Sequence, residues 1–293
     1  MPNSTQKKVV LVTGASSGIG YATSIEFAKR GYKVYAGARR LEAMEPLKKY
    51  GIIPVKLDVS SLDSVKEIKV LLQRENDGKL DYLFNNAGQS CTFPAIDTTD
   101  EWFKQCYEVN VFGPMRLTRE LAPLLINAKG TVGFTGSLSG LAPFPFSCTY
   151  SSTKAAIHAY AGTLRLEMKP FDVKVLNFVT GGVKTEIADT RPLPESSLFN
   201  VPEMKEALVE RQQMAARNNP MPAEKYAYKV VNDFESSSIN GSLNKYRGTS
   251  ASFLHWVFLL MPRYLIELAF IRKFKLAGVF KSMREKYAKK KLD

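Results

Sequence analysis

The sequence is poor in cysteine and histidine. Its 293 residues include three cysteines without close spacing (Cys91, Cys106 and Cys148) and two histidines outside any group of metal-ligand residues (His158 and His255). An odd number of dispersed cysteines argues against a disulfide framework and favours a reducing compartment. The lack of clustered histidine and cysteine argues against a metal enzyme. We therefore expect no metal site.

No signal peptide is evident at the amino terminus. Residues 1–8 are polar and lead directly into a strand-like segment. Acidic residues are also fewer than basic ones: the chain has 28 Asp and Glu and 41 Lys and Arg. The excess of basic residues is largest in residues 272–293, which contain nine Lys or Arg and only two acidic residues. This asymmetry predicts an anionic surface as a partner, either a membrane or nucleic acid.

Short β-branched runs alternate with stretches of helical periodicity through the first 180 residues. The strand-like runs are Val9–Thr13, Lys33–Ala36, Ile53–Leu57, Leu80–Asn85, Gly130–Thr135 and Lys174–Phe178. Apolar residues recur at helical spacing in Ile19–Arg30, Leu62–Arg74, Gly113–Ile126 and Tyr150–Met168. This alternation predicts an α/β fold, a doubly wound parallel sheet of the Rossmann type with helices on both faces.

Two segments depart from this alternation. Residues 186–222 are rich in Pro, Arg and Met, and helical periodicity begins only at about Pro202. A long insertion after a late strand lies near the carboxyl ends of the sheet, where a substrate lid is expected. The second segment is the tail from residue 249. We therefore predict a Rossmann-type domain over 1–248, with its lid, and a separate tail over 249–293.

A glycine-rich loop follows the first predicted strand. It reads Gly14-Ala15-Ser16-Ser17-Gly18-Ile19-Gly20. Glycines let the backbone turn tightly and approach a pyrophosphate, whose charge lies at the start of the next helix. The spacing Gly-x-x-x-Gly-x-Gly differs from the common dinucleotide fingerprint. Its place between the first strand and the first helix nevertheless predicts dinucleotide binding.

Two arginines stand where an NAD-binding protein carries an acid. In such proteins an Asp or Glu at the end of the second strand accepts hydrogen bonds from the ribose 2′-hydroxyl. Here the strand leads into Arg39 and Arg40. A guanidinium binds phosphate through two parallel hydrogen bonds, which suits the 2′-phosphate of NADP. The pair predicts NADPH/NADP as the cofactor; the alternative is that both arginines are solvated surface charges.

The glycine loop also fits a second motif. Gly14-Ala15-Ser16-Ser17-Gly18 matches Gly-x-Ser-x-Gly, in which a serine on a strand-to-helix turn is the nucleophile of a hydrolase. That chemistry needs a histidine base beside the serine. His158 and His255 lie far along the chain, and neither is an obvious partner. A serine lipase that uses Ser16 is therefore a disfavoured alternative.

Tyr150 and Lys154 form the first part of a catalytic constellation. Their spacing of four residues places both side chains on one face of a predicted helix. A phenol has a pKa of about 10, and a nearby ammonium favours the phenolate. We therefore expect Lys154 to lower the pKa of Tyr150 toward the working range of a proton donor.

Three further motifs lie upstream of this pair. Ser137 follows one predicted strand, Asn85-Asn86-Ala87-Gly88 follows another, and Asn110 lies in a helical segment. With the glycine loop and Tyr-x-x-x-Lys, they stand in the order typical of short-chain dehydrogenases/reductases. Over about residues 8–240 the chain resembles this family. The set is specific, although each motif alone is common.

This resemblance implies a catalytic tetrad of Asn110, Ser137, Tyr150 and Lys154. Ser137 would hold the substrate oxygen and Tyr150 would protonate it, while Lys154 would also bind the nicotinamide ribose and Asn110 would anchor a water. Cofactor contacts are further implied for Gly14, Ser16, Ser17, Gly18, Ile19, Gly20, Arg39, Arg40, Asp58, Asn86, Arg119, Val183 and Thr185. The family's Pro-Gly after the sixth strand is Thr180-Gly181 here, which is a departure at the nicotinamide end.

The chain closely resembles members of the family that reduce the ketone of a lipid phosphate. Segments 85–95, 154–161, 168–171 and 191–195 carry this likeness. It implies reduction of acyl-dihydroxyacetone phosphate to lysophosphatidic acid at the endoplasmic reticulum membrane or the lipid droplet, on the cytoplasmic face. A ketosteroid or a 3-ketoacyl lipid is the alternative substrate.

Recognition of such a substrate would need an apolar cleft and a cation. Phe144, Phe146 and the lid are expected to supply the apolar surface. Arg191, Arg211 and Arg217 are three choices for the phosphate ligand, and the sequence does not distinguish among them.

The tail begins with an apolar stretch, residues 253–271. It is interrupted by His255, Pro262, Arg263 and Glu267. A membrane-spanning helix needs about 20 apolar residues with few charges, so an interfacial insertion is favoured over a span. Nucleic acid is disfavoured because the basic residues adjoin an apolar segment without base-stacking motifs. Packing within a homodimer or over the substrate pocket is the alternative.

Overall fold

The chain folds around a seven-stranded parallel sheet. The computed structural model describes residues 7–288. The strands are β1 (Val9–Thr13), β2 (Lys33–Ala38), β3 (Ile53–Lys56), β4 (Tyr82–Asn85), β5 (Thr131–Ser137), β6 (Lys174–Thr180) and β7 (Asn244–Arg247). Their order is β3-β2-β1-β4-β5-β6-β7, and every neighbouring pair is parallel. The predicted doubly wound sheet is confirmed.

Eleven α-helices accompany the sheet within the described residues. They are α1 (Gly18–Lys29), α2 (Leu62–Glu75), α3 (Asp100–Tyr107), α4 (Gly113–Ala128), α5 (Cys148–Met168), α6 (Pro202–Gln212), α7 (Met214–Arg217), α8 (Ala223–Glu235), α9 (Ala251–Leu260), α10 (Arg263–Lys273) and α11 (Leu276–Tyr287). A 3₁₀ segment covers Glu42–Tyr50, and a π-helical turn, Glu108–Phe112, joins α3 to α4.

Both faces of the sheet are buried because successive side chains of each strand point to opposite sides. In β1, Val9 and Leu11 pack in the cluster beneath α2, α4 and α5. Val10 and Val12 pack on the other face, beneath α1 and α8. A strand that is buried on both faces therefore reads as a continuous apolar run, as Val9–Thr13 does.

Where the ends of the six predicted strands differ from the observed ones, they differ by one or two residues. Predicted Leu80–Asn85 begins instead at Tyr82, because the backbone N–H of Leu80 donates to the carbonyl of Leu124 on α4. The edge strand β7 was not predicted. Its sequence, Asn-Lys-Tyr-Arg, lacks an apolar run because the strand pairs only with β6 and stays partly exposed.

A third hydrophobic cluster joins the lid to the C-terminal helices. Met204 and Leu208 of α6 pack in it with Phe274, which follows α10, and with Leu276 and Val279 of α11. The tail predicted over 249–293 is thus helical through Tyr287 and lies against the lid, while residues 289–293 fall outside the described part of the chain. From residue 7 to residue 288, no helix has the length and apolar character needed to cross a membrane.

Candidate active site

A cleft of about 1130 Å³ lies at the carboxyl ends of the strands. The loops after β1, β2, β4, β5 and β6 line one side, and the lid with α6 and α7 lines the other. In an open α/β sheet the carboxyl ends of parallel strands meet at one edge, which is where ligands bind. A cleft of this volume exceeds a typical single-ligand pocket and has room for a dinucleotide with a second molecule.

The glycine loop forms the floor of the cleft after β1. Gly14 has a φ of +66°, and a Cβ at this position would lie 2.8 Å from the Cα of Ala87. Gly18, with a φ of +54°, opens α1. Gly20 differs from the prediction: it is buried against the carbonyl of Gly14 and does not line the cleft. Its lack of a side chain lets the first turn of α1 pack under the loop.

Asn86 joins the ends of three strands beside this loop. Its Nδ2 donates to the carbonyl of Thr13 at 3.0 Å, and its backbone N–H donates to Thr13 Oγ1 at 3.0 Å. Its Oδ1 accepts from Thr135 Oγ1 at 3.2 Å. These bonds fix the spacing between the glycine loop and the end of β5, so Asn86 shapes the cleft that it lines.

Three predicted residues meet at the far end of the cleft. Arg39 and Arg40 follow β2 and are exposed, and Asp58 follows β3. Burial raises the pKa of Asp58, but hydrogen bonds from Ser60 and the charge of Arg39 outweigh burial and lower it. Two guanidinium groups and the absence of a carboxylate at the end of β2 fit the 2′-phosphate of NADP.

The segment after β6 closes over the loop. Val183 and Thr185 line the cleft, and a Cβ on Gly18 would lie 3.1 Å from Thr185 Cγ2. The structure does not bring Arg119 to this site. Its side chain is 64% exposed on α4, pairs with Glu120 at 3.0 Å and lies outside the cleft. The cofactor contact implied for Arg119 therefore stays a prediction that the geometry of the cleft does not support.

Ser137 ends β5 at the middle of the cleft. Its backbone N–H donates to Nε2 of His158 on α5 at 3.1 Å, and its Oγ accepts from the backbone N–H of Ser139 at 3.1 Å. Gly136 makes room for the imidazole, since a Cβ there would lie 2.5 Å from His158 Nε2. Burial, and then the charge of Lys154, lowers the pKa of His158 to about 4. A neutral imidazole therefore positions the serine, a role that the sequence analysis missed.

Tyr150, in the first turn of α5, faces Ser137. Burial raises the pKa of its phenol, whereas a hydrogen bond with Ser137 and the charge of Arg211 lower it without reversing the shift. The expected lowering by Lys154 is wrong for this structure. The Nζ of Lys154 lies 5.6 Å from the centroid of the Tyr150 ring and donates to the carbonyl of Thr135 at 2.8 Å. Burial lowers the pKa of Lys154 to about 8.

Asn110 lies behind the cleft in the π-helical turn and is 1% exposed. Its Nδ2 donates to the carbonyl of Gln89 at 2.9 Å and to Thr153 Oγ1 at 3.1 Å. Its Oδ1 accepts from the backbone N–H of Gln89 at 2.9 Å. The amide thus ties the loop after β4 to the helix that carries Tyr150 and Lys154.

Neither histidine supports a nucleophilic Ser16. His158 is engaged with Ser137, and the ring of His255 stacks on Tyr246 with centroids 4.1 Å apart. Across residues 7–288, no hydrogen bond joins a histidine to Ser16. Ser16 lines the cleft in the glycine loop, where it is available to a phosphate.

The lid supplies apolar surface, although not from the expected phenylalanines. Ile187, Met214 and Ala215 line the cleft. Phe144 and Phe146 do not, because both pack in the cluster that the lid shares with the C-terminal helices.

Comparisons with known proteins show which family this fold belongs to. The family model described as short chain dehydrogenase matches residues 8–195. The "NADPH-dependent 1-acyldihydroxyacetone phosphate reductase" of Saccharomyces cerevisiae is 50% identical over 98% of both chains. The protein of the same name from Schizosaccharomyces pombe is 39% identical over 73% of both chains. A short-chain dehydrogenase from Streptomyces avermitilis superposes with a TM-score of 0.74 and 29% identity, covering 96% of this chain and 99% of its own.

Proposed function

The chain belongs to the short-chain dehydrogenase family, and from that premise we propose that it reduces the ketone of 1-acyl-dihydroxyacetone phosphate to lysophosphatidic acid with NADPH. One observation carries the reaction class. Tyr150, Ser137 and Lys154 converge in the cleft between the glycine loop and the lid. Identity of 50% along nearly the whole chain to a reductase of that name supports the substrate.

NADPH, when bound, supplies the hydride that reduces the carbonyl carbon. The Ser137 hydroxyl orients the carbonyl oxygen toward Tyr150, and the phenol donates its proton to that oxygen. A pKa that burial raises keeps Tyr150 protonated at neutral pH, which is the form that ketone reduction requires. Lys154 lines the cleft next to Tyr150, and its hydrogen bond to the carbonyl of Thr135 fixes the position of its ammonium group.

A panel of ketones tests this function. Purified enzyme should oxidise NADPH with 1-acyl-dihydroxyacetone phosphate far faster than with a ketosteroid or a 3-ketoacyl lipid. Tyr150→Phe should lower kcat about 1000-fold, because the phenylalanine has no proton to donate. Lack of turnover with the lipid phosphate, alongside turnover of another ketone, would contradict the proposed substrate. Ester cleavage that persists in Tyr150→Phe and is lost in Ser16→Ala would favour the hydrolase instead.

We also propose that the enzyme works on the cytoplasmic face of the endoplasmic reticulum membrane and on lipid droplets. The support is an exposed apolar surface on the C-terminal helices, here called the α9–α10 surface. It comprises Phe253, Trp256, Leu259, Leu260, Met261, Tyr264, Leu265 and Leu268. Seven Lys or Arg and two Glu lie between Ala251 and Ala288, so the segment that carries this surface has a net positive charge. Apolar and aromatic side chains beside lysines and arginines suit the interface of an anionic membrane.

A further inference from the structure

Arg211 is a buried cation at the edge of the cleft. It lies on α6 of the lid, is 8% exposed and lines the cleft. Its Nε donates to the carbonyl of Pro145 at 3.1 Å, and its Nη2 donates to Ser147 Oγ. Both partners are neutral, and the guanidinium also lies 5.6 Å from the centroid of the Phe144 ring. In the part of the chain that the structure describes, no carboxylate forms an ion pair with it.

Burial without a counter-ion makes Arg211 unusual. Removing a charge from water is unfavourable unless an opposite charge or enough hydrogen bonds replace the solvent. Burial lowers the pKa of Arg211 to about 10, so the guanidinium remains charged at neutral pH. Its other N–H groups have no acceptor among residues 7–288. An anion in the cleft would satisfy both the charge and these donors.

The other two lid arginines are already neutralised. Arg191 pairs with Asp189 at 2.7 Å, and its guanidinium lies 4.1 Å from the centroid of the Trp102 ring. Arg217 pairs with Glu210 and does not line the cleft. Arg211 is therefore the one of the three that retains charge for a ligand.

Arg211 also lies beside the catalytic phenol. Its charge acts to lower the pKa of Tyr150, and its partner Ser147 is the N-cap of the helix whose first turn carries Tyr150. In the proposed substrate, the phosphate ester sits on the carbon next to the ketone carbon. When Tyr150 binds the ketone oxygen, the phosphate of the same molecule therefore lies on the side of the cleft that holds Arg211.

We propose that Arg211 binds the phosphate of the ketone substrate and makes the enzyme selective for phosphorylated ketones. This inference rests on the proposed function for the identity of the substrate. It assigns the phosphate to α6 of the lid, on the side of the cleft opposite the glycine loop.

Kinetics on two matched substrates test the inference. The pair is 1-acyl-dihydroxyacetone phosphate and the same acyl-dihydroxyacetone without phosphate. In Arg211→Met, the ratio of the two kcat/KM values should fall about 100-fold, as expected for loss of one partner of a buried charge pair. Arg211→Lys should recover part of the ratio, since it restores the charge without the planar guanidinium. Arg217→Met, on the same lid and outside the cleft, should keep the wild-type ratio.

Two results would overturn the inference. One is an equal loss on both substrates in Arg211→Met, which would indicate that Arg211 only anchors Pro145 and Ser147. The other is an unchanged preference for the phosphorylated ketone. If wild-type enzyme does not turn over the lipid phosphate at all, the proposed function fails separately.

A binding measurement tests Arg211 independently of turnover. Calorimetry of sn-glycerol 3-phosphate with the enzyme–NADPH complex should detect binding by wild type and Arg217→Met, and none by Arg211→Met. Fluorescence titration with NADPH checks that each variant retains a folded cofactor site. Equal binding of the phosphate by wild type and Arg211→Met, or no binding by wild type, would contradict the assignment.

Discussion

The surroundings of Tyr150 shift the pKa of its phenol in opposite directions. Burial raises the pKa of the phenol, whereas Ser137 and Arg211 lower it. The balance favours the protonated phenol, which is the acid needed to reduce a ketone. The spacing of Tyr150 and Lys154 in the sequence predicts their proximity but not this balance, because spacing carries no information on burial.

His158 makes the stability of the folded site depend on pH. Its folded pKa is about 4, compared with about 6.5 in an unfolded chain. As pH falls, the unfolded chain takes up the proton first, so the stability that neutral His158 contributes is lost between about pH 6.5 and pH 4. Between pH 7 and pH 5, wild type should therefore lose about 2 kcal/mol more unfolding free energy than His158→Gln. Urea unfolding at both pH values measures the difference, and equal losses would contradict this account.

We expect Arg39 and Arg40 to set the preference for NADPH over NADH. Replacing both with Ala removes the two guanidinium groups that we expect to bind the 2′-phosphate, which NADH lacks. The KM for NADPH should rise about 100-fold, from the loss of charge-assisted hydrogen bonds. The KM for NADH should change less than about threefold. Lys49→Ala, which removes an exposed charge from the adjacent 3₁₀ segment, controls for net charge. Equal effects on both cofactors would reject the phosphate contact.

At the scale of elements, the C-terminal helices have two different faces. Phe258 of α9 and Phe270 of α10 pack against Phe144, with ring centroids 6.2 Å and 4.8 Å apart. The opposite side of these helices presents the α9–α10 surface. Apart from Ser252 and His255, α9 is apolar on every side, and such a helix normally lies inside a protein or a membrane. It can therefore pack in the cluster shared with the lid and still offer apolar surface.

The α9–α10 surface should bind vesicles. Trp256 and Leu260 are 58% and 74% exposed, so replacing both with Ser removes apolar area without opening a cavity in the lid cluster. Co-sedimentation with phosphatidylcholine–phosphatidylserine vesicles should fall at least tenfold, by about the transfer free energy of two large side chains. Truncation at residue 250 is a poorer test because it also removes Phe274 and Val279 from the lid cluster.

Leu166→Ser is the matched control for this experiment. Leu166 is 67% exposed on α5, distant in sequence from the C-terminal helices. This variant should sediment with vesicles as wild type does. If Trp256→Ser with Leu260→Ser leaves vesicle binding unchanged and instead converts a dimer to a monomer in ultracentrifugation, the surface is a homodimer interface.

At the scale of the whole molecule, the fold could be predicted wherever burial imposes a pattern. Val9–Thr13 was predicted to the residue because β1 is covered on both faces. β7 was missed because an edge strand needs few apolar residues. The lid and the C-terminal helices share a cluster that joins α6 to α11, and no local periodicity predicts such a long-range contact.

The residues of the candidate site likewise fall into those that the sequence predicts and those that only the structure identifies. The glycine loop, Asn86, Ser137, Tyr150 and Lys154 could be placed because each follows a strand or opens a helix at the same sheet edge. The sequence does not show that Arg119 lies outside the cleft, since one residue of helical register decides whether a side chain faces the cleft or solvent. The choice of Arg211 among the lid arginines required the positions of Asp189 and Glu210, which neutralise the other two.

The most direct test of the account is the fate of a labelled hydride. Enzyme, 1-acyl-dihydroxyacetone phosphate and NADPH with deuterium at both positions of nicotinamide C4 are incubated together, and the lipid product is analysed by mass spectrometry. The account predicts lysophosphatidic acid with one deuterium on the central glycerol carbon, and almost none of this product from Tyr150→Phe. Absence of the product from wild type, or a product without the label, would contradict it.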